Sequence, residues 1–321
     1  MHLSDGFLDV KTSVATACLA VAGVALALRV VKQSMPPRKM PLLGLAAAFI
    51  FAAQMLNFPV VAGASGHLTG GALAAILLGP APAVVVMCAV LILQCFLFAD
   101  GGVTALGANL FNMAVVAPCV GYAVFRGLQR LTGPSRRSLL AATALAAWCS
   151  AVLAALFCAA ELAFSGTAAF RVVVPAMLGI HALIGVAEAA ITTLVVRAVL
   201  SGESAWQPSD GARLDARTGF ALALLLSFAL ALFVAPFACS WPDGLESVAE
   251  RLGFIGRASK VPLMTAPLSD YALPGMSHAG AATALAGAIG SAALMLFFWG
   301  LFKLWNRSRS QKTEARRQEP E

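Results

Sequence analysis

The chain opens Met1-His2-Leu3-Ser4-Asp5-Gly6-Phe7-Leu8, and its first two residues can do coordination chemistry without any other side chain. A histidine in second place sets an α-amine, a backbone amide and an imidazole in series. One metal ion can close a five-membered and a six-membered chelate ring on those three nitrogens, which leaves one in-plane position open. A fourth nitrogen from elsewhere in the fold would complete a planar four-nitrogen site, an arrangement that favours Ni(II) or Cu(II) over Zn(II) or Mg(II). The candidate is His67, in the run Gly63-Ala64-Ser65-Gly66-His67-Leu68-Thr69-Gly70-Gly71. Its glycines permit the irregular backbone and close approach that a ligand loop needs. Methionine is not normally removed before a residue as large as histidine, so the Met1 amine is expected to survive. Acid should weaken such a site, because an amine with a pKa near ~8 and imidazoles near ~6.5 compete with the metal for protons.

Other polar residues lie in or beside apolar stretches, where each must find a partner. Asn57, Gln94, Asp100, Asn109 and Asn112 are expected to line an interior shared by several helices. Asp100-Gly101-Gly102 reads most simply as a tight turn. Asn57, Ser65 and Asp100 are also candidates for orienting a ligand through hydrogen bonds. His181 and Glu188 stand seven residues apart on one face of one helix, too far apart in depth for both to touch a single ion, so a supporting hydrogen-bond role is expected for them. His278 reads as an interfacial residue.

These groups need a scaffold, and composition names its class. The chain is 60% hydrophobic and 12% charged, with a mean hydropathy of +0.85. That is an all-α, polytopic membrane protein, not a water-soluble domain. Apolar runs fall at about 12–31, 41–57, 67–79, 83–99, 103–125, 138–164, 172–197, 218–238 and 279–302, giving nine expected segments. The third and fourth are short and meet at Gly79-Pro80-Ala81-Pro82, so a tilted pair, a re-entrant hairpin and broken helices are all open there. Seventeen of the 22 Lys and Arg lie at 29–39, 126–137, 197–217 and from Lys303 onward. With nine spans those regions share one face, which is cytoplasmic by the positive-inside rule, and Met1, His2 and His67 fall outside. The net charge of +7 is thereby a matter of topology, and nucleic acid is not an expected partner. Seven cysteines with no CxxC pair suggest neither disulfides nor a thiolate zinc site and read as small core residues. No GxxxxGK[ST], HExxH or GxSxG stands in the chain, so it has no P-loop with which to hydrolyse ATP and is not expected to be an enzyme.

The chain divides into a membrane core at 1–200, a polar cytoplasmic linker at 201–216, a second module at 217–305 and a basic, disordered tail at 306–321. The second module is two helices flanking a long external loop. The first helix is rich in alanine and glycine, which suits close packing within the chain or against a partner helix.

The N-terminal octet, Gly66-His67-Leu68-Thr69-Gly70-Gly71, Phe98-Ala99-Asp100-Gly101-Gly102 and the stretch His181 to Ala189 resemble the CbiM/NikM family, the metal-recognising components of energy-coupling-factor transporters, over about 1–200. Pro242-Asp243-Gly244-Leu245-Glu246 and Asp270-Tyr271-Ala272-Leu273-Pro274-Gly275 resemble the PDGLE domain of CbiN/NikN, here fused behind the core. The resemblance implies a subunit of the plasma (inner) membrane that takes up Ni(II) or Co(II) as its substrate, with no resident cofactor. It implies the Met1 amine, the His2 amide and imidazole nitrogens and the His67 imidazole as metal ligands. It further implies a transmembrane coupling subunit and ATP-binding-cassette ATPase subunits as partners, in a lipid bilayer. Leu3 and Ser4 depart from the residues usual in the octet, and neither is required as a ligand. An integral membrane metalloenzyme or metal sensor built on the same chelate is the alternative. The sequence does not separate nickel from cobalt.

Overall fold

A computed structural model describes residues 1–61, 63–133, 135–204, 216–259 and 263–318. Helix α1 (Val10–Ser34) begins where the Asp9 carboxylate accepts the Thr12 N–H at 3.0 Å. It ends just before Pro36 and Pro37, which cannot donate to a helix. After α2 (Met40–Gln54), two short strands, β1 (Phe58–Pro59) and β2 (Ser65–Gly66), pair antiparallel with Phe58 opposite Gly66. Helix α3 (Gly71–Leu78) is broken from α4 (Pro80–Leu93) at Gly79, whose φ of 91° suits glycine. A π-helical turn, Gln94–Phe98, finishes that span. The next span is α5 (Leu106–Asn109), a π-helical stretch Leu110–Val116, and α6 (Ala117–Thr132). Helices α7 (Arg136–Phe164) and α8 (Phe170–Ser204) lie against each other. Then come α9 (Ala216–Ala229), the short α10 (Gly244–Arg251) and α11 (Ala279–Gln318), which packs on α2.

Seven helices among the described residues are long and apolar enough to cross a membrane, against nine expected segments. The two that fall short are the second and third. At ~1.5 Å per residue, the fifteen residues of α2 reach about 22 Å, short of a hydrocarbon core of ~30 Å. The expected run 67–79 contains only the eight residues of α3, preceded by extended chain carrying His67. The 83–99 run lies in a helical stretch long and apolar enough to cross a membrane, Pro80–Phe98. Because the short pieces come as a pair, the parity of the crossings and the expected orientation are unchanged.

Three further expectations change. The start of the 201–216 linker is helical, since α8 reaches Ser204, and 205–215 lie outside the described residues. The tail expected to be disordered from 306 continues α11 to Gln318, because Lys, Arg, Gln and Glu are good helix formers once a helix is already nucleated in the membrane. Of the seven free cysteines, only Cys95 and Cys158 are buried, while Cys18 and Cys119 are exposed on spans.

Small residues set the close contacts that seat the site. A Cβ on Gly71 would lie 2.9 Å from Ala117 Cβ, and one on Gly121 would lie 2.7 Å from Ala72 Cβ, so α3 and α6 meet almost backbone to backbone. The alanine-rich α1 uses some of its small residues in the same way, with Ala17 against Gly107 and Gly23 against Val115. Its other faces expose Val14, Val21 and Leu26, as expected for helix surface in lipid.

Candidate metal centre

The first residues of the chain enter the bundle: Met1, His2, Leu3 and Phe7 are buried, Leu3 completely, while Gly6 stays exposed. Asn109, at the end of α5, reads the backbone of Leu3 in both directions. Its Oδ1 accepts the Leu3 N–H at 2.8 Å and its Nδ2 donates to the Leu3 carbonyl at 3.1 Å. The Gly102 N–H donates to the same carbonyl at 2.8 Å. Farther out, the Asp5 carboxylate accepts the Thr104 N–H at 2.7 Å, and Thr167 Oγ1 donates to the Phe7 carbonyl at 2.5 Å. These bonds satisfy the buried main chain of an irregular segment and so fix where its amine emerges.

A second set of bonds fixes His67. Glu188, on α8, accepts the N–H groups of Thr69 at 2.5 Å and Gly70 at 3.0 Å. Gln54 donates to the Thr69 carbonyl at 2.7 Å. Gly66 packs under Ile184, where a Cβ would come within 2.8 Å of Ile184 Cγ1. The ring itself is oriented by Nδ1, 3.0 Å from the Leu68 carbonyl. A carbonyl can only accept, so Nδ1 carries the proton and the Nε2 lone pair is free to accept. This is the tautomer a metal-binding imidazole adopts when its other nitrogen is tied to the backbone.

That lone pair points at the Met1 nitrogen, 3.1 Å away. Two neighbouring nitrogens on a planar ion with bonds of ~2.1 Å stand about 3.0 Å apart, so this pair already has the spacing of one edge of a four-nitrogen square. The His2 ring stacks on that of His67 with centroids 5.4 Å apart. His2 Nδ1, the nitrogen that would close the six-membered chelate ring, faces Asp100 Oδ1 at 3.1 Å, and its Nε2 is buried without a hydrogen-bond partner. Joining a chelate therefore requires the His2 ring to turn from Asp100.

The electrostatics of the cluster follow from burial and one carboxylate. Burial pulls the His67 imidazole down to about 3, helped by the neighbouring amine. Burial also lowers His2. Burial works against a charged Met1 amine too, but Asp243 outweighs it and raises the amine above its usual value. The Asp243 carboxylate, despite the cost of burial, is held far below its usual range by the same amine. Its Oδ2 is 2.5 Å from the Met1 nitrogen.

Asp243 comes from the second module, and sequence reasoning did not single it out. It is the N-cap of α10: Oδ1 accepts the N–H groups of Leu245 and Glu246, each at 2.8 Å, and Glu246 closes the capping box. The Asp-x-x-Glu spacing was the visible signal, but it announces a helix start and not a partner 242 residues away. Tyr271, also from this module, donates to Asp100 Oδ2 at 2.5 Å.

The expected supporting residues divide by position. Asp100 touches His2, and Glu188 holds the His67 loop. His181 lines the same small pocket as Met1, His67 and Asp243, a space of about 10 Å³ with room for roughly one water-sized sphere. Its Nδ1 is tied to the Met177 carbonyl at 2.8 Å. Ser65 instead docks the second module, donating from Oγ to the Trp241 carbonyl at 2.7 Å. Asn57 lies outside the cavity, where its carbonyl accepts the Cys239 N–H. Among the described residues, no group of three or more His, Cys, Asp or Glu side chains could hold a metal, so a site here depends on main-chain nitrogens.

Residues 2–206 match the family model of CbiM, the cobalt uptake substrate-specific transmembrane region, and residues 217–307 match that of the PDGLE domain. A protein of Archaeoglobus fulgidus, provisionally named a fused nickel transport protein NikMN, is 36% identical over 307 residues, 94% of this chain and 98% of its own. The cobalt transport protein CbiM of Acetohalobium arabaticum is 37% identical over 209 residues, 62% of this chain and 82% of its own. A crystal structure of a truncated transition metal transporter is 33% identical and has a TM-score of 0.57, covering 63% of this chain and 99% of that one.

Proposed function

The chain belongs to the CbiM family, with a PDGLE domain fused behind it, and from that membership we propose that it is the metal-capturing subunit of an energy-coupling-factor transporter for Ni(II) or Co(II). It is a multi-pass membrane component of a metal transporter. The finer reading is that the ion is captured on the outer face by the Met1 amine, the His2 amide, the His2 imidazole and His67. The ion is then passed inward by a complex with a transmembrane coupling subunit and ATPase subunits.

The observation that carries this reading is the Met1 nitrogen 3.1 Å from the lone-pair nitrogen of His67, at the wall of a cavity of about 10 Å³. A bare or singly hydrated ion suits that volume. Loading would turn the His2 ring so that Nδ1 leaves Asp100, which keeps its bond from Tyr271.

The test is to lengthen the chain by one residue before Met1. The extension converts the amine into an amide and needs room the cavity lacks. Binding of Ni(II) and Co(II) by the purified protein, with the extension verified by mass spectrometry, should drop by orders of magnitude; native affinity would refute the amine as a ligand. Uptake in cells should also require the coupling and ATPase subunits, and accumulation without them would refute the transporter assignment.

A further inference from the structure

We propose that Asp243 of the PDGLE segment is a positioning residue for the metal site, setting the Met1 amine at its coordinating distance from His67. The proposal rests on the reading of Met1 and His67 as ligands and gives the fused module a specific task in capture.

The geometry is direct. The Met1 nitrogen sits between two groups, His67 Nε2 at 3.1 Å and Asp243 Oδ2 at 2.5 Å. The first distance is that of two adjacent ligands on one ion, and the second is the bond that holds the nitrogen there. An amine bound to a metal keeps two N–H bonds, so one can go on donating to Asp243 after the ion arrives. The carboxylate also brings a negative charge beside a site that must accept a divalent cation.

Asp243 can do this only because it is itself immobilised. Its Oδ1 is committed to the start of α10 and its backbone N–H donates to Glu246 at 3.0 Å, which leaves Oδ2 facing Met1. Before it in the chain, the Pro242 carbonyl accepts the Ser65 N–H at 2.8 Å, two residues from His67. After it, Gly244 lies against α8, where a Cβ would fall 2.7 Å from Ile184 Cδ1 and 3.0 Å from His181 Cε1, and Leu245 is completely buried. The same short segment thus grips the His67 loop with its backbone and the Met1 amine with its side chain. Groups that orient a metal ligand in this way are worth 10–100-fold in affinity.

The experiment measures Ni(II) and Co(II) affinity of the purified full chain by competition with a chromophoric chelator. Asp243→Asn is the main variant, since asparagine caps a helix as well as aspartate but offers an amide where the amine needs an acceptor. Gly244→Ala is the second; it keeps the carboxylate and shifts its seat, and decides the matter if the first does not fold. His67→Ala is the reference. The expected result is about a 10–100-fold loss in both PDGLE variants, with a displaced ligand-field band when they are saturated with Ni(II). A purely structural role would leave that band unmoved at saturation. Affinity within twofold of the parent, while His67→Ala binds weakly, would overturn the proposal alone. If His67→Ala also binds like the parent, the ligand assignment itself falls and the proposal falls with it.

Discussion

Lowering the pH should weaken metal binding with a slope that the burial of the cluster dictates. As the structure places them, the Met1 amine is held protonated by Asp243, above its usual value near 8.0. Burial holds the His67 imidazole neutral at about 3 and lowers His2 from its ordinary value. An ion that binds all four nitrogens must then displace one proton from the amine and one from the His2 amide, and none from His67. The sign is fixed: a raised amine pKa means the proton is present at all lower pH, so affinity rises with pH and flattens toward a one-proton slope above the amine's pKa. Two protons correspond to roughly 100-fold per pH unit, or about 10⁴-fold between pH 7.5 and 5.5. Solvent-exposed imidazoles would add a steepening near ~6.5, and a carboxylate site with a pKa near ~4 would be almost flat over that range. Competition titrations across the window give the slope, and calorimetry in buffers of different ionisation enthalpy counts the protons directly. A slope of one or less, or a break near 6.5, would refute the reasoning.

Replacing His67 by Ala should remove one of four nitrogens and cost at least about 100-fold in affinity, while the loss of its bonds to the Leu68 carbonyl and the Met1 amine lowers stability by about 1–3 kcal/mol. Calorimetry and a melting curve on one sample separate the two, and unchanged affinity would reassign the fourth ligand. Glu188→Gln leaves one acceptor for the two loop N–H groups of Thr69 and Gly70, so a destabilisation of about 1–3 kcal/mol is expected, with weaker metal binding through the loosened His67 loop. A variant that melts and binds like the parent would show that the loop holds its shape without α8. Tyr271→Phe removes the donor to Asp100 and should cost about 1–3 kcal/mol of stability by the same argument; no change in melting would place that bond outside the folded state's net balance.

What could be read in the sequence followed from local rules. Hydropathy locates the long spans, and the break at Gly79-Pro80 shows on its face. A second-position histidine makes a chelate legible as a proposal because its three nitrogens are neighbours along the chain. His67 was visible because glycines surround it. Its Glu188 support was expected only in kind, because which backbone N–H groups a buried carboxylate meets is decided by how α8 packs on the loop. Asp243 was invisible for a stronger reason: its cap role is local, but its bond to Met1 exists only once the second module has docked. The imidazole pKa values taken from reference compounds fail in the same way, since both rings exchange water for protein on folding. The length of α2 and the helical tail depend on where a helix is already nucleated, which a hydropathy window does not register.

Covalent continuity between α8 and α9 changes what the Asp243 contact must achieve. A carboxylate delivered by a separate chain would have to win its place by bimolecular affinity, at whatever concentration the membrane supplied. Here it arrives on the same polypeptide, and its encounter with Met1 is governed by an effective concentration of the order of millimolar for a short connection. A contact too weak to assemble two proteins can therefore be occupied nearly all the time in one. Cutting the chain between the modules while leaving every residue in place should make metal capture depend on the ratio of the two fragments, a dependence the intact chain cannot have.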